Sequence, residues 1–304
     1  MSEPISERTD GAIEPRRISR IGTKAIIRGV FKYKLSRAGI AIIFLLFFMA
    51  VFAPLLAPYD PNAQDLYKVL TGPSADHWLG TDNVGRDLLS RVIYGSRVSL
   101  TVGFFSVFIS VCIGVVLGLL AGYHGGVADM IIMRIVDTFM CIPFLPFVLV
   151  LAAALGPGLK NIILALSILG WTGFCRIMRG QVLVVRELPY VEAARAAGAS
   201  GFRIMFKHLF PNCLAPIIVA VTISLGAFIM LESTMSFFGL GVQPPTPSWG
   251  KELRTGYSYL ETVPLFSIAP GILITLAVLA FNFLGDGLRD SLDPRLRGEG
   301  KKIK

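Results

Sequence analysis

The feature that most constrains this chain is a series of uncharged runs, each of roughly 20 residues, the length at which a helix crosses about 30 Å of hydrocarbon. They recur between short charged stretches along the 304 residues. In hydrocarbon the backbone has no water to bond to, so an apolar run of this length must close its own hydrogen bonds as a helix. Composition agrees, with 54 % of residues hydrophobic and only 16 % charged, whereas a soluble domain carries about 25 % charged residues. The expectation is an all-α membrane protein with six spans.

The runs place those spans at 39–57, 98–122, 130–155, 161–175, 214–240 and 263–284. Four regions follow: a polar, basic segment 1–37; a region 38–97 with the first span and an extracytoplasmic stretch; a five-helix core 98–288 containing a polar loop 180–212; and a basic tail 289–304. The long charged head and the lack of a small-residue cleavage site exclude a secretory signal. Pro54, Pro58 and Pro61 end the first span, since proline cannot continue a helix comfortably. In HWLGTDNVGRDLLSRVIYGSRVSL (77–100), Leu88, Leu89, Val92 and Ile93 fall at helical spacing opposite Arg86, Asp87 and Arg91. That pattern predicts an amphipathic helix lying flat at the interface, with Trp78 anchored among the headgroups. A second interface tryptophan, Trp249, is expected in the Pro-rich loop GVQPPTPSWG. Gly114, Gly118 and Gly122 repeat every four residues, a spacing that lets membrane helices approach closely. Pro143 and Pro146 should bend the third span, and the fourth should stop at Arg176 and Arg179.

Six spans put both termini on one side. That side carries 22 of the 29 Lys and Arg and the other seven, so the termini and the loop 180–212 are expected in the cytoplasm. The same asymmetry accounts for the net charge of +9 without a nucleic-acid partner. Cys112, Cys141, Cys175 and Cys213 lie in or beside apolar segments with no paired spacing, which argues against disulfides or a zinc site. His77, His124 and His208 are far apart in sequence; no metal is expected. No stretch matches the phosphate-cradling GxxxxGK[ST], and no catalytic constellation is present. No cofactor and no enzymatic activity are therefore expected on this chain.

The polar loop reads RELPYVEAARAAGASGFRIMFKHLFPN (186–212). Pro189 suits a first helical turn and Glu192 complements the helix dipole, while Ala193, Ala194, Ala196 and Ala197 favour helix and carry almost no side chain. Gly198 should end that helix, and Ser200 should cap a second one running to Phe210 and broken by Pro211. Read from the residues alone, this is either an ordinary amphipathic loop or a helical hairpin whose bare tip suits a groove in a partner.

The spacing of Glu192, Ala193, Ala194, Gly198 and Pro211 resembles the coupling motif of binding-protein-dependent ABC importers. His208 stands where that family has an aliphatic residue, and Phe210 where it usually has Leu; both departures concern packing of the second helix. The segments 77–100, SFFGLGVQPPTPSWG (236–250) and GDGLRDSLDP (285–294) are similar to the second permease of the peptide-type group, which handles dipeptides, oligopeptides, glutathione or nickel. The resemblance spans about residues 30–298. It implies the type I permease fold in the cytoplasmic (inner) membrane, with the loop seated in a cleft of an ATPase subunit. It also implies a second, similar permease, two ATPase subunits holding ATP and Mg, and an extracytoplasmic binding protein that sets most of the specificity.

Two further groups need a role. Glu232 interrupts the fifth span, where a charge costs about 2.5–3.5 kcal/mol on insertion scales and points to a function or a buried partner. With Ser233 it either faces the translocation path or a partner permease, or makes a structural hydrogen bond. Asp82, Arg86, Asp87 and Arg91 cluster on the outer side. They either dock the binding protein or hold an outer gate, or form surface ion pairs worth at most about 1 kcal/mol each. An ion-coupled secondary transporter would need matching interrupted halves and more intramembrane acids; a membrane enzyme would need a catalytic cluster.

Overall fold

The computed structural model describes residues 29–292; the expectations for the basic head before residue 29 and the tail after 292 lie outside the described residues. The named helices are α1 (Lys34–Val51), α2 (Ala53–Leu56), α3 (Leu88–His124), α4 (Gly126–Met140), α5 (Phe144–Leu155) and α6 (Leu159–Val185), then α7 (Pro189–Ala196), α8 (Gly201–Phe237), α9 (Trp249–Tyr257) and α10 (Leu265–Leu292). Among the described residues there is no strand, only an isolated bridge between Thr81 and Asp87. Five helices, α1, α3, α6, α8 and α10, are long and apolar enough to cross a membrane; counting the bent pair α4–α5 as one crossing gives the six expected.

Three differences from the sequence-based expectation lie in α3 to α6, and charge pairing explains two of them. The separate interfacial helix and the second span are one helix, α3, of 37 residues and about 55 Å at 1.5 Å per residue. The boundary placed at 97/98 thus falls inside it. Periodicity took Arg86, Asp87 and Arg91 for a water-facing stripe, but their partners are protein groups. Likewise α6 does not stop at Arg176 and Arg179; it continues to Val185. There Arg179 makes a two-pronged pair with Asp129 at the start of α4, with Nη2 to Oδ2 at 2.6 Å, and Arg176 pairs with Asp137. The third change is in degree: the predicted bend between α4 and α5 is a break of 87°. Pro143 disfavours helix at Ile142, while Pro146 sits in the first turn of α5, where a missing N–H costs nothing.

A close helix contact runs along the glycine repeat. Gly114, Gly118 and Gly122 of α3 lie against the backbone of α6, so that a Cβ on Gly114 or Gly118 would overlap the carbonyl oxygens of Trp171 or Cys175. A Cβ on Gly122 would sit 2.7 Å from the side chain of Val182. Small residues at such a seam let two backbones gain dispersion contact where lipid offers no hydrophobic drive.

Helix direction follows from a few contacts. Ser36 near the start of α1 donates to the carbonyl of Phe283 near the end of α10, at 3.1 Å. Gly226 of α8 packs on Val278 of α10, and Gly285 on Ile223, so those two helices are antiparallel. Arg186 after α6 donates to the Gly122 carbonyl of α3 at 2.8 Å, and Tyr123 lies beside Gly201 at the start of α8. The described chain ends therefore lie at the same end of the bundle as α7 and its connecting turn.

Replacing Gly118 with Val should overpack the α3–α6 seam and lower stability by about 1–3 kcal/mol, the usual range for inserted methyl groups in a packed core. Thermal denaturation of the detergent-solubilised protein, followed by fluorescence size-exclusion, checks this; an unchanged melting curve would disprove the seam.

Candidate functional site

At one end of the bundle the loop forms the hairpin that its sequence suggests. Leu188 precedes α7, and Pro189 occupies its first turn. The stop is a Schellman turn: the N–H of Gly198 donates to the Arg195 carbonyl at 3.0 Å and that of Ala199 to Ala194 at 3.0 Å. This closure needs a left-handed residue after the helix, and Gly198 has φ +78°. Ser200 then accepts from the N–H of Arg203 at 3.4 Å and starts α8. Glu192, Ala193, Ala196, Ala197 and Gly198 are exposed, and nothing lies within 4 Å of a Cβ built on Gly198. The tip is bare and uncovered.

The inner face of the hairpin is the opposite. Val191 of α7 and Ile204, Met205 and Leu209 of α8 are buried in one apolar cluster with Val115 and Leu119 of α3 and Met178 and Val182 of α6. His208 stacks loosely on Tyr190, ring centres 6.4 Å apart, so the departure from an aliphatic residue is absorbed by an aromatic neighbour. Pro211, however, does not break the second arm. The helix passes through a π-helical turn, Ile204–Leu209, in which the Phe210 N–H reaches back to the Met205 carbonyl. A wider turn makes room for the proline ring, and Asn212 Nδ2 donates to the His208 carbonyl at 2.6 Å. The arm and the fifth span are consequently one helix, α8, of 37 residues. Beside it, an apolar groove of about 490 Å³ opens between α6, α8 and α10, lined by Ile177, Pro216, Val219 and Ile223, with Arg289 at its rim.

At the other end, residues 57–87 fold as a cap over α3 and α9. The sequence-predicted cluster is here, but it is not on the surface: Asp82 and Arg91 are 0 % exposed, and Asp87 is buried. Arg91 reaches a partner that the sequence reading missed, Glu252 of α9, with Nε to Oε2 at 3.0 Å and Nη2 to Oε1 at 2.7 Å. Its Nη1 donates to the Pro61 carbonyl at 2.8 Å, and Asp82 Oδ2 stands 3.7 Å away. Asp82 also accepts from the Val84 and Arg86 N–H groups at 2.9 Å and pairs with the Arg86 side chain. Two guanidinium groups thus balance two carboxylates where the cap meets α3 and α9. Asp87 caps α3 through the Ser90 N–H at 2.8 Å and holds His77 Nδ1 at 3.0 Å. Arg91 and Glu252 are 161 residues apart, and no local spacing signals such a pair. Buried as they are, Asp82, Asp87 and Arg91 are neither surface ion pairs nor a docking surface by themselves.

Trp249 is also not at an interface. It is fully buried, and its Nε1 donates to the Val92 carbonyl at 3.0 Å, whereas Trp78 is exposed. Glu232 is 0 % exposed. Ser236 Oγ donates to its Oε1 at 2.7 Å and Ser233 Oγ to its Oε2 at 3.3 Å, while Ser99 of α3 and Ser248 before α9 complete the polar surround. Glu232 thus has the hydrogen-bond partners that the structural reading of this residue requires. The histidines stay apart, His77 in the cap and His124 and His208 near the hairpin, and the described residues contain no group of three His, Cys, Asp or Glu suited to a metal.

Residues 114–298 match the model for binding-protein-dependent transport system inner membrane components, and residues 24–73 that for the N-terminal TM domain of oligopeptide transport permease C. The chain is 44 % identical over 292 residues to a dipeptide transport system permease protein of Bacillus subtilis (strain 168), covering 96 % of this chain and 91 % of the relative. It is 43 % identical over 256 residues to a glutathione transport system permease protein of Pectobacterium atrosepticum, covering 84 % and 85 %. Its fold matches a chain of the MetNI methionine ABC transporter in an inward-facing conformation with TM-score 0.54 and 22 % identity, over 68 % of this chain and 98 % of that one.

Changing Arg91 to Met strands the buried Glu252 carboxylate, which Arg91 holds with both prongs, and should cost about 3–5 kcal/mol. Arg176→Ala removes an ion pair with about half of each side chain exposed and should cost no more than about 1 kcal/mol. Thermal denaturation of the two variants side by side checks the contrast, which equal losses would contradict. Lys251 on α9 is half-buried beside Arg91, and burial first, then that charge, push its ammonium down to about 8. Because its folded value lies below the unfolded one, the penalty for burying the ammonium is relieved as pH rises above about 8. Acylation of Lys251 by a membrane-impermeant amine reagent should have its midpoint near pH 8; a midpoint at an ordinary lysine value would refute this environment.

Proposed function

Because the chain belongs to the family of binding-protein-dependent transport system inner membrane components, we propose that it is one of two permeases of an importer for short peptides, driven by ATP hydrolysis on separate subunits. The observation that carries this reading is the hairpin: a bare tip, Glu192 to Gly198, facing solvent at the end of a continuous membrane helix. An exposed alanine face gives up little side-chain entropy on docking and lets a partner approach the backbone. The cluster around Val191 and Ile204 fixes the hairpin to α3 and α6, so a displacement at the tip moves the bundle and does not merely flex a loop.

The excess of Lys and Arg puts the hairpin end in the cytoplasm, with the described chain ends beside it and the cap outside. Two ATPase subunits, with ATP and Mg bound there, engage the hairpins of this chain and of a similar permease. An extracytoplasmic binding protein delivers substrate on the cap side. The apolar groove beside α8 is the stretch we assign to the path or to the second permease, in place of the buried Glu232. Relatives named for dipeptides, D,D-dipeptides and di- and tripeptides favour a short peptide. The glutathione relative favours a second reading, that the cargo is that tripeptide. Titrating the cognate binding protein with dipeptides and glutathione separates the two.

Gly198 offers the test of coupling. Gly198→Ala and Gly198→Trp both place a side chain at positive φ, a strain of about 1–3 kcal/mol, but only Trp adds bulk at the docking surface. In the assembled complex, Trp should abolish substrate-stimulated ATP hydrolysis while Ala keeps most of it and both insert normally. Full stimulation in the Trp variant would remove the hairpin as the coupling element.

A further inference from the structure

The cap network lies far from the hairpin, yet a continuous line of structure joins them. Helix α8 runs unbroken from the hairpin to Phe237, about 55 Å at 1.5 Å per residue. At its outer end Glu232 is surrounded by hydroxyls that include Ser248, the residue that caps α9 by accepting from the Lys251 N–H at 3.4 Å. Gly250 of α9 sits so close to the Ser233 carbonyl that a Cβ there would overlap it. Helix α9 therefore rides on the outer end of α8. Two residues further along, Glu252 grips Arg91 with both oxygens.

Arg91 faces two carboxylates from different bodies. It is bidentate to Glu252, which lies on α9, and stands 3.7 Å from Asp82, which belongs to the cap. Its Nη1 stays on the Pro61 carbonyl of the cap. A single buried guanidinium held this way can release one carboxylate and keep the other, so it is never left unpaired in low dielectric, the situation that costs most. Gly95 of α3 lies on the approach, packed on Trp249 and the Ser248 carbonyl carbon.

We propose that the Arg91–Glu252 pair is a separable joint at the outer end of the transport path. It is closed as the structure shows it, and it opens when α8 carries α9 away, with Arg91 remaining on Asp82 and Pro61. Arg91 and Glu252 are positioning residues: they touch neither nucleotide nor cargo, and they tie the position of the hairpin to the position of the cap. This rests on the coupling reading above and adds to it the element on which the signal ends.

The test uses the full complex in proteoliposomes, with both permeases, both ATPase subunits and the binding protein loaded with a dipeptide. Glu252→Gln removes the charge with little change in shape, and Glu252→Asp retains it. The Gln variant should assemble, show basal ATP hydrolysis equal to or above wild type, and lose at least about fivefold in stimulation by the loaded binding protein, the lower end of ordinary coupling between sites. The Asp variant should recover most of that stimulation. Arg91→Lys, which keeps the charge and loses the fork, provides a second route to the same loss. Stimulation within twofold of wild type in Glu252→Gln would overturn the proposal. So would failure of both Glu252→Gln and Arg91→Lys to assemble, since the pair would then serve folding alone. Gly198→Trp run in parallel separates this from the coupling reading: if it leaves stimulation intact, the hairpin assignment fails first.

Discussion

Hydrocarbon offers no partner to a peptide group or a charge, and the rest of this structure follows from that constraint. Backbone groups close on themselves in α1, α3, α6, α8 and α10. Charges buried in the structure find protein partners, as with Arg91 on Glu252 and Glu232 on serine hydroxyls, and Arg179 pairs with Asp129. Where the backbone would lose a bond, a neighbour replaces it. The π-helical turn ahead of Pro211 and the amide of Asn212 on the His208 carbonyl are such replacements. A helix that could have broken there instead continues into the hairpin.

That continuity decides how the two ends of the molecule relate. A loop hung on flexible linkers would absorb a push at its tip. Here the inner face of the hairpin is part of the core, through Val191, Ile204 and Leu209, and its second arm is α8 itself. The glycine seam between α3 and α6 supplies the fixed body against which α8 can act. The break between α4 and α5 leaves a short apolar segment crossing at 87°, packed through Val148 and Ala152 against α3 and α6.

The buried ion pairs are poor evidence for stability on their own, because desolvation offsets most of their attraction. Their value is specificity of position. Arg91 accepts only a narrow arrangement of Glu252, Pro61 and Asp82, and with the His77–Asp87 contact this fixes where the cap sits on the bundle. The exposed Arg176–Asp137 pair exerts no such control, since water screens it and its side chains are free to move.

The spans, their number and the hairpin were legible in the sequence because they rest on local rules. Apolar length sets a crossing, a four-residue glycine repeat sets a close contact, and alanines ending at Gly198 set a helix and its stop. The same local reading misplaced α3, α6 and Pro211. It treats a charge or a proline as an end, whereas a partner elsewhere in the chain can satisfy either one. Asp129 for Arg179 and Glu252 for Arg91 are 50 and 161 residues away, beyond any periodicity. Trp249 shows the same limit: its residue type suggested an interface, and packing buried it. Hydrophobic pattern is a property of neighbouring residues, so sequence determined which segments enter the membrane. Satisfaction of buried charge is a property of three-dimensional neighbours, so only the tertiary structure decided where those segments end and how the hairpin, α8, α9 and the cap are joined.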